Sequence, residues 1–132
     1  MNPRAYAAQY RQTAVSSAVL EASPHQLIAL MFAGFRDRVQ LAIASLERGD
    51  VARKGQSITE ALAILGGLDG ALDHNAGGSI AAGLQSLYDY LQRRLVEANL
   101  ANDAGMLREA DALIAEVQSA WNAIAPTASA TP

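Results

Sequence analysis

The stretch Ala22-Ser23-Pro24-His25-Gln26-Leu27 runs straight into the densest apolar segment of the chain, and it reads as a helix start. A serine at this place accepts a hydrogen bond from an orphan amide of the first turn. Pro24 falls at the first helical position, where a missing N–H costs nothing. Gln26, three residues after Ser23, completes a capping box by reaching back to the cap amide. From Leu27 the side chains are almost all apolar, on through Phe35, Val39, Ala42, Ile43 and Leu46. A helix this apolar needs other helices to bury it.

The remaining punctuation predicts three more helices. The first long helix spans Leu27 to Arg48, and Gly49 follows at a C′ position that favours glycine. Asp50 caps a second helix, Val51 to about Leu72. So short a connection makes the two antiparallel neighbours. His74 to Gly78 reads as a loop, and Ser79 as the cap of a third helix, Ile80 to about Leu100. Its stripe is Ile80, Leu84, Leu87, Tyr88, Leu91, Leu95 and Ala98. Asn99 and Asn102 close it, and Asp103 caps the last helix. Leu107, Ala110, Leu113, Ile114, Val117, Trp121 and Ile124 line that helix, and Pro126 stops it. The fold class is all-α: an antiparallel up-down four-helix bundle over residues 22–125. Residues 1–21 form a short extra N-terminal helix or mobile arm over the body, and 126–132 a disordered tail.

Composition agrees and narrows the function. Hydrophobic residues are 51% of the 132, but aromatic residues only 5%, so alanine and leucine carry the apolar count, as in helices. A net charge of −3 argues against nucleic acid, which calls for a basic stripe. The absence of cysteine excludes disulfides, thiolate metal sites and a cysteine nucleophile. No apolar stretch approaches the ~20 residues that span a bilayer. Gln9, Arg11, Gln12 and Thr13 interrupt any signal-peptide core. The expectation is a cytoplasmic protein without membrane insertion.

Catalytic patterns are missing. His25 and His74 are the only histidines. Neither shares a helical face with a second ligand, which leaves no metal site. A histidine phosphotransfer bundle is the rival class, but there the histidine sits in mid-helix beside basic and small residues. A solvated or capping role is expected for both. Gly66-Gly67 and Gly77-Gly78 lack the lysine-serine or lysine-threonine pair of a P-loop. Asp69 and Asp73, one turn apart, read as a solvated face. No enzyme activity and no cofactor is expected.

What stands out instead is apolar surplus. At roughly 100° per residue, Ile28, Met31, Phe32, Phe35, Val39, Ala42, Ile43 and Leu46 cluster on the core face of the first helix. Leu27, Leu30, Gly34 and Leu41 fall to one side. On the second helix Ile58, Ala61, Leu62, Leu65 and Leu72 make the core stripe, with Ile64, Leu68 and Ala71 on a flank. Gly66, Gly67 and Gly70 weaken that helix by roughly 1 kcal/mol each against alanine. They mark a close helix–helix approach, a frayed end, or a groove whose floor must stay low. Surplus apolar surface marks a partner site, the seat of the arm, or residues at the core boundary. A self-associating structural bundle is a further alternative.

Across about Tyr10 to Trp121 the chain also resembles a known family. Ala22–Leu27 is followed by Gly34, then Gly49-Asp50, Lys54 and Gly55, and Ile58, Ala61 and Ile64. Leu72-Asp73 precedes Gly77-Gly78, Ile80-Ala81 and Leu84. Leu87-Tyr88-Asp89-Tyr90, Arg93-Arg94-Leu95, Ala98-Asn99, Asp103 and Ala120-Trp121 complete the order. Together these look like the flagellar secretion chaperone FliS, the flagellin chaperone family. Ala33, Ser79 and Ala7 stand where that family often has an acid, a glutamate and a branched apolar residue. The resemblance implies a cytoplasmic chaperone without ATPase activity. It implies binding of the disordered C-terminal segment of flagellin and delivery to a flagellar export gate protein. It also implies that the arm, with Ala7 and Tyr10, caps the groove and then meets the export gate. The expected flagellin-binding groove is Leu27, Leu30, Gly34, Leu41, Ile64, Leu68 and Ala71.

Overall fold

A computed structural model describes residues 23–124. They form four helices: α1 (Pro24–Glu47), α2 (Val51–Gly70), α3 (His74–Ala101) and α4 (Ala104–Ala123). The expected arm, with Ala7 and Tyr10, and the expected tail 126–132 lie outside the described residues.

Local chemistry sets the boundaries. Gln26 N–H donates to Ser23 Oγ at 3.2 Å, and Ser23 N–H donates to Gln26 Oε1 at 3.0 Å, so the capping box is complete. At the other end of α1, Gly49 takes φ 76°. Its N–H donates to Leu46 O at 3.0 Å and that of Asp50 to Ser45 O at 2.8 Å, which closes the helix in a Schellman turn. Asp50 and Asp103 cap α2 and α4 by accepting from Arg53 N–H and Met106 N–H. Asn102, in the left-handed conformation at φ 51°, ends α3 in the same manner as Gly49 ends α1. An asparagine there costs less than other non-glycine residues.

The start of α3 differs from the sequence expectation. His74 to Gly77 is a helical turn, not a loop, and its cap is Asp73, which accepts from Asn75 N–H and Ala76 N–H. The main helix resumes beyond Gly78, whose φ 52° and ψ −125° break the ladder. Ile80, just past this kink, is 69% exposed rather than part of the stripe. The end of α2 also comes earlier than expected, at Gly70.

Long-range contacts establish the up-down topology. Trp121 near the end of α4 meets His25 at the start of α1, and Arg108 near the start of α4 pairs with Glu47 at the end of α1. Lys54 in the first turns of α2 meets Asn99 at the end of α3. Each helix therefore runs antiparallel to its neighbours around the ring α1–α2–α3–α4. Phe32, Phe35, Val39, Ile58, Leu65, Tyr88, Leu91, Leu95, Leu107 and Ile114 fill one continuous core.

Two buried contacts fall outside the expected stripes. His25, read from sequence as solvated or capping, is 6% exposed and stacks on Trp121 with ring centroids 4.5 Å apart. Trp121 Nε1 donates to the His25 carbonyl at 2.9 Å, satisfying the indole. The first turn of α1 is apolar on this side because the last turn of α4 covers it. Lys54 is 3% exposed, and its Nζ donates to Asn99 O at 2.9 Å and to Asn99 Oδ1 at 2.6 Å. A cation at the carbonyl end of α3 complements the helix dipole.

Candidate functional site: the outer seam of α1 and α2

The α1–α2 pair is built on a regular antiparallel register. Arg38 Nε lies 2.7 Å from Glu60 Oε2, an ion pair whose angle falls short of a hydrogen bond. One turn back along α1, Gly34 faces Ile64: a Cβ on Gly34 would lie 3.5 Å from Ile64 Cδ1, an ordinary contact. Another turn back, Met31 reaches Gly67, where an added Cβ would stand 2.7 Å from Met31 Cε. The same register carries Leu27 to Ala71. The seam thus joins residues that the sequence placed on the flanks of two separate helices.

The expected groove residues divide into three groups. Leu27 and Leu30 are exposed, 38% and 42% of their surface, on a helix whose other large apolar side chains are buried or half-buried. Gly34, Leu41, Ile64 and Ala71 are half-buried along the seam or its continuation. Leu68 does not belong: at 1% exposure it is a core residue. It follows Leu65 by three positions, a turn of roughly 60° about the axis, so the two share the buried side of α2. Met31, assigned from sequence to the core face, is half-buried and packs against the core. Its length and its flexible thioether let its methyl also reach across to Gly67 of α2. Nothing in a single helix's periodicity signals this; the glycine at 67 is the only hint.

Apart from Arg38 and Glu60, the paired charges lie on other helix contacts. Arg36 donates to both carboxylate oxygens of Asp111 and to Gln118 Oε1 across α1–α4. The hydrogen bond to Asp111 holds the guanidinium above its ordinary pKa. Across α3–α4, Tyr90 and Arg94 both donate to Glu109 Oε1, and these bonds hold the Glu109 carboxyl below its ordinary value. Burial, with the Asp69 charge adding, pushes the Tyr88 phenol up to about 12. The solvated face expected of Asp69 and Asp73 holds for Asp73, which is exposed, but Asp69 is half-buried. Asp69 Oδ1 is buried without a partner and Asp73 is a helix cap. None of these groups lines the seam, and among the described residues no three metal-ligating side chains gather. No described helix is long and apolar enough to cross a membrane.

The described residues therefore form a capped all-α four-helix bundle, with an apolar seam between α1 and α2 that carries the exposed Leu27 and Leu30. The chain matches the family described as flagellar protein FliS over residues 5–128. It is 46% identical to the flagellar secretion chaperone FliS of Salmonella typhimurium over 121 residues, covering 91% of this chain and 90% of that protein. It is 43% identical to flagellar secretion chaperone FliSB of Pseudomonas aeruginosa over 116 residues, covering 88% and 92%. The FliS protein of Vibrio cholerae is 34% identical over 117 residues, covering 89% and 86%. The chain belongs to the FliS family.

Proposed function

We propose that this protein is a cytoplasmic, non-enzymatic flagellar export chaperone that holds the C-terminal segment of flagellin along the α1–α2 seam. Holding that segment keeps the subunit from assembling early, and the loaded chaperone hands it to an export gate protein. The observation that carries the reading is the exposed pair Leu27 and Leu30, set on a firmly capped helix beside the half-buried Gly34, Ile64 and Ala71. An amphipathic client helix laid into such a groove buries its apolar face there. Family membership and the names of the relatives support a role in flagellar secretion, and the sequence resemblance supplies flagellin as the client. Leu41 extends the groove beyond Gly34, while Leu68 acts only from below, through the packing of α2.

The arm belongs to the proposal on family resemblance alone, as a displaceable cap whose Ala7 and Tyr10 face the export gate once client is bound. Calorimetry with a flagellin C-terminal peptide tests the groove. Leu30→Asp should keep the helical spectrum and weaken binding at least tenfold, because a carboxylate against an apolar helix is left unpaired. Undiminished binding by a folded Leu30→Asp chain would remove the seam from consideration. For the arm, deleting residues 2–18 should leave binding equal or tighter, and a tenfold loss would make the arm part of the site.

A further inference from the structure

Gly67 and Met31 present a contact that neither helix needs for its own stability. Gly67 lies inside α2 and is exposed, where alanine is preferred by roughly 1 kcal/mol. Gly66 and Gly70 on the same helix have nothing within 4 Å of an added Cβ, so no neighbour demands glycine there. At Gly67 alone of the three the space is taken, by the terminal methyl of Met31, at 2.7 Å. Residue 67 without a side chain is what lets the Met31 methyl lie low across the seam.

We infer that Met31 is the adaptable floor of the client groove and that Gly67 is the residue that positions it. The inference rests on the reading of the α1–α2 seam as the client site. Methionine is unbranched and polarizable, and it conforms to partner side chains of different shape at little cost. Met31 lies four residues beyond Leu27 on the same face of α1, and its methyl carries that apolar face across to Gly67 of α2. The occupant is the apolar face of a flagellin-type amphipathic helix. A β-carbon at residue 67 raises Met31 into the space that helix fills. The bundle loses nothing, since only a flexible side-chain tip has to move.

The test uses the full chain carrying 13C-methyl methionine, titrated with a flagellin C-terminal peptide. The Met31 methyl resonance should shift on binding. Gly67→Ala should keep or raise the melting temperature and weaken the peptide at least fivefold. Met31→Leu, with a branched and shorter tip, should also weaken it. Gly66→Ala should raise the melting temperature and leave affinity within twofold. If the peptide binds the wild type while the Met31 methyl stays still, or Gly67→Ala binds as wild type, the inference is overturned and the seam survives as the site. Equal losses from Gly66→Ala and Gly67→Ala would overturn it too, since the effect would then belong to α2 at large. If the wild type binds no peptide, the functional reading itself fails. The methyl shift is read on the wild-type chain, so it decides the matter whether or not a variant folds well.

Discussion

At the scale of single residues, burial separates side chains that sequence alone treats alike. Leu30 and Leu68 are both leucines beside a core stripe, yet one is 42% exposed and the other 1%. Leu68→Ala should cost about 2–5 kcal/mol, as truncation of a packed leucine does. Leu30→Ala should cost far less, and urea titration of the two variants checks the difference. Ser23→Ala should cost about 1 kcal/mol through the lost cap, with flagellin-peptide affinity unchanged at a temperature where the bundle is folded. Tyr88 supplies a pH signature. Its phenol is raised from 10.0 to about 12, so its contribution to stability is complete below pH 10 and is lost as pH rises through 12. Tyr88→Phe should flatten the alkaline fall in the urea midpoint.

Between elements, short polar links decide how the helices stay in register. Lys54 ties the start of α2 to the end of α3. Lys54→Met keeps much of the bulk but leaves the Asn99 oxygens without their donor, which should cost about 1–3 kcal/mol in denaturant titration. The α3–α4 pair carries Glu109, whose carboxyl is held low first by the Tyr90 hydroxyl at 2.6 Å and then by Arg94. A depressed carboxyl contributes stability above its ordinary value of 4.5, and that contribution is lost as pH falls through the lower folded value. Glu109→Gln should therefore differ from wild type at neutral pH and converge with it in acid. A gap that persists unchanged in acid would mean that packing, not ionisation, is at work.

For the molecule as a whole, one core runs from the Trp121–His25 end to the Leu107 layer, so the bundle should unfold as a unit. Trp121 is the only tryptophan and sits where α1 begins and α4 ends. Its fluorescence should follow the same urea transition as the far-ultraviolet signal of all four helices. Separate transitions would show that the Trp121 end opens on its own. Loss of the indole donor in Trp121→Phe, which also removes the tryptophan fluorescence, should lower the midpoint of the far-ultraviolet signal.

The helix count, the caps at Ser23, Asp50 and Asp103, the turn at Gly49 and most of the core stripe were legible from the chain. Each depends on residues within one or two turns of one another, where periodicity and capping chemistry operate. The surface exposure of the candidate groove was legible too: Leu27, Leu30, Gly34, Leu41, Ile64 and Ala71 stand off the stripes by angle alone, and each is exposed or half-buried. The rest was decided by tertiary packing. Whether a flank residue is covered depends on how closely the next helix lies, which is why Leu68 sank into the core and why Met31, packed against the core, also reaches Gly67. His25 was buried by Trp121, 96 positions away in the chain. No local pattern carries that contact, because it arises only when the last helix returns antiparallel to the first.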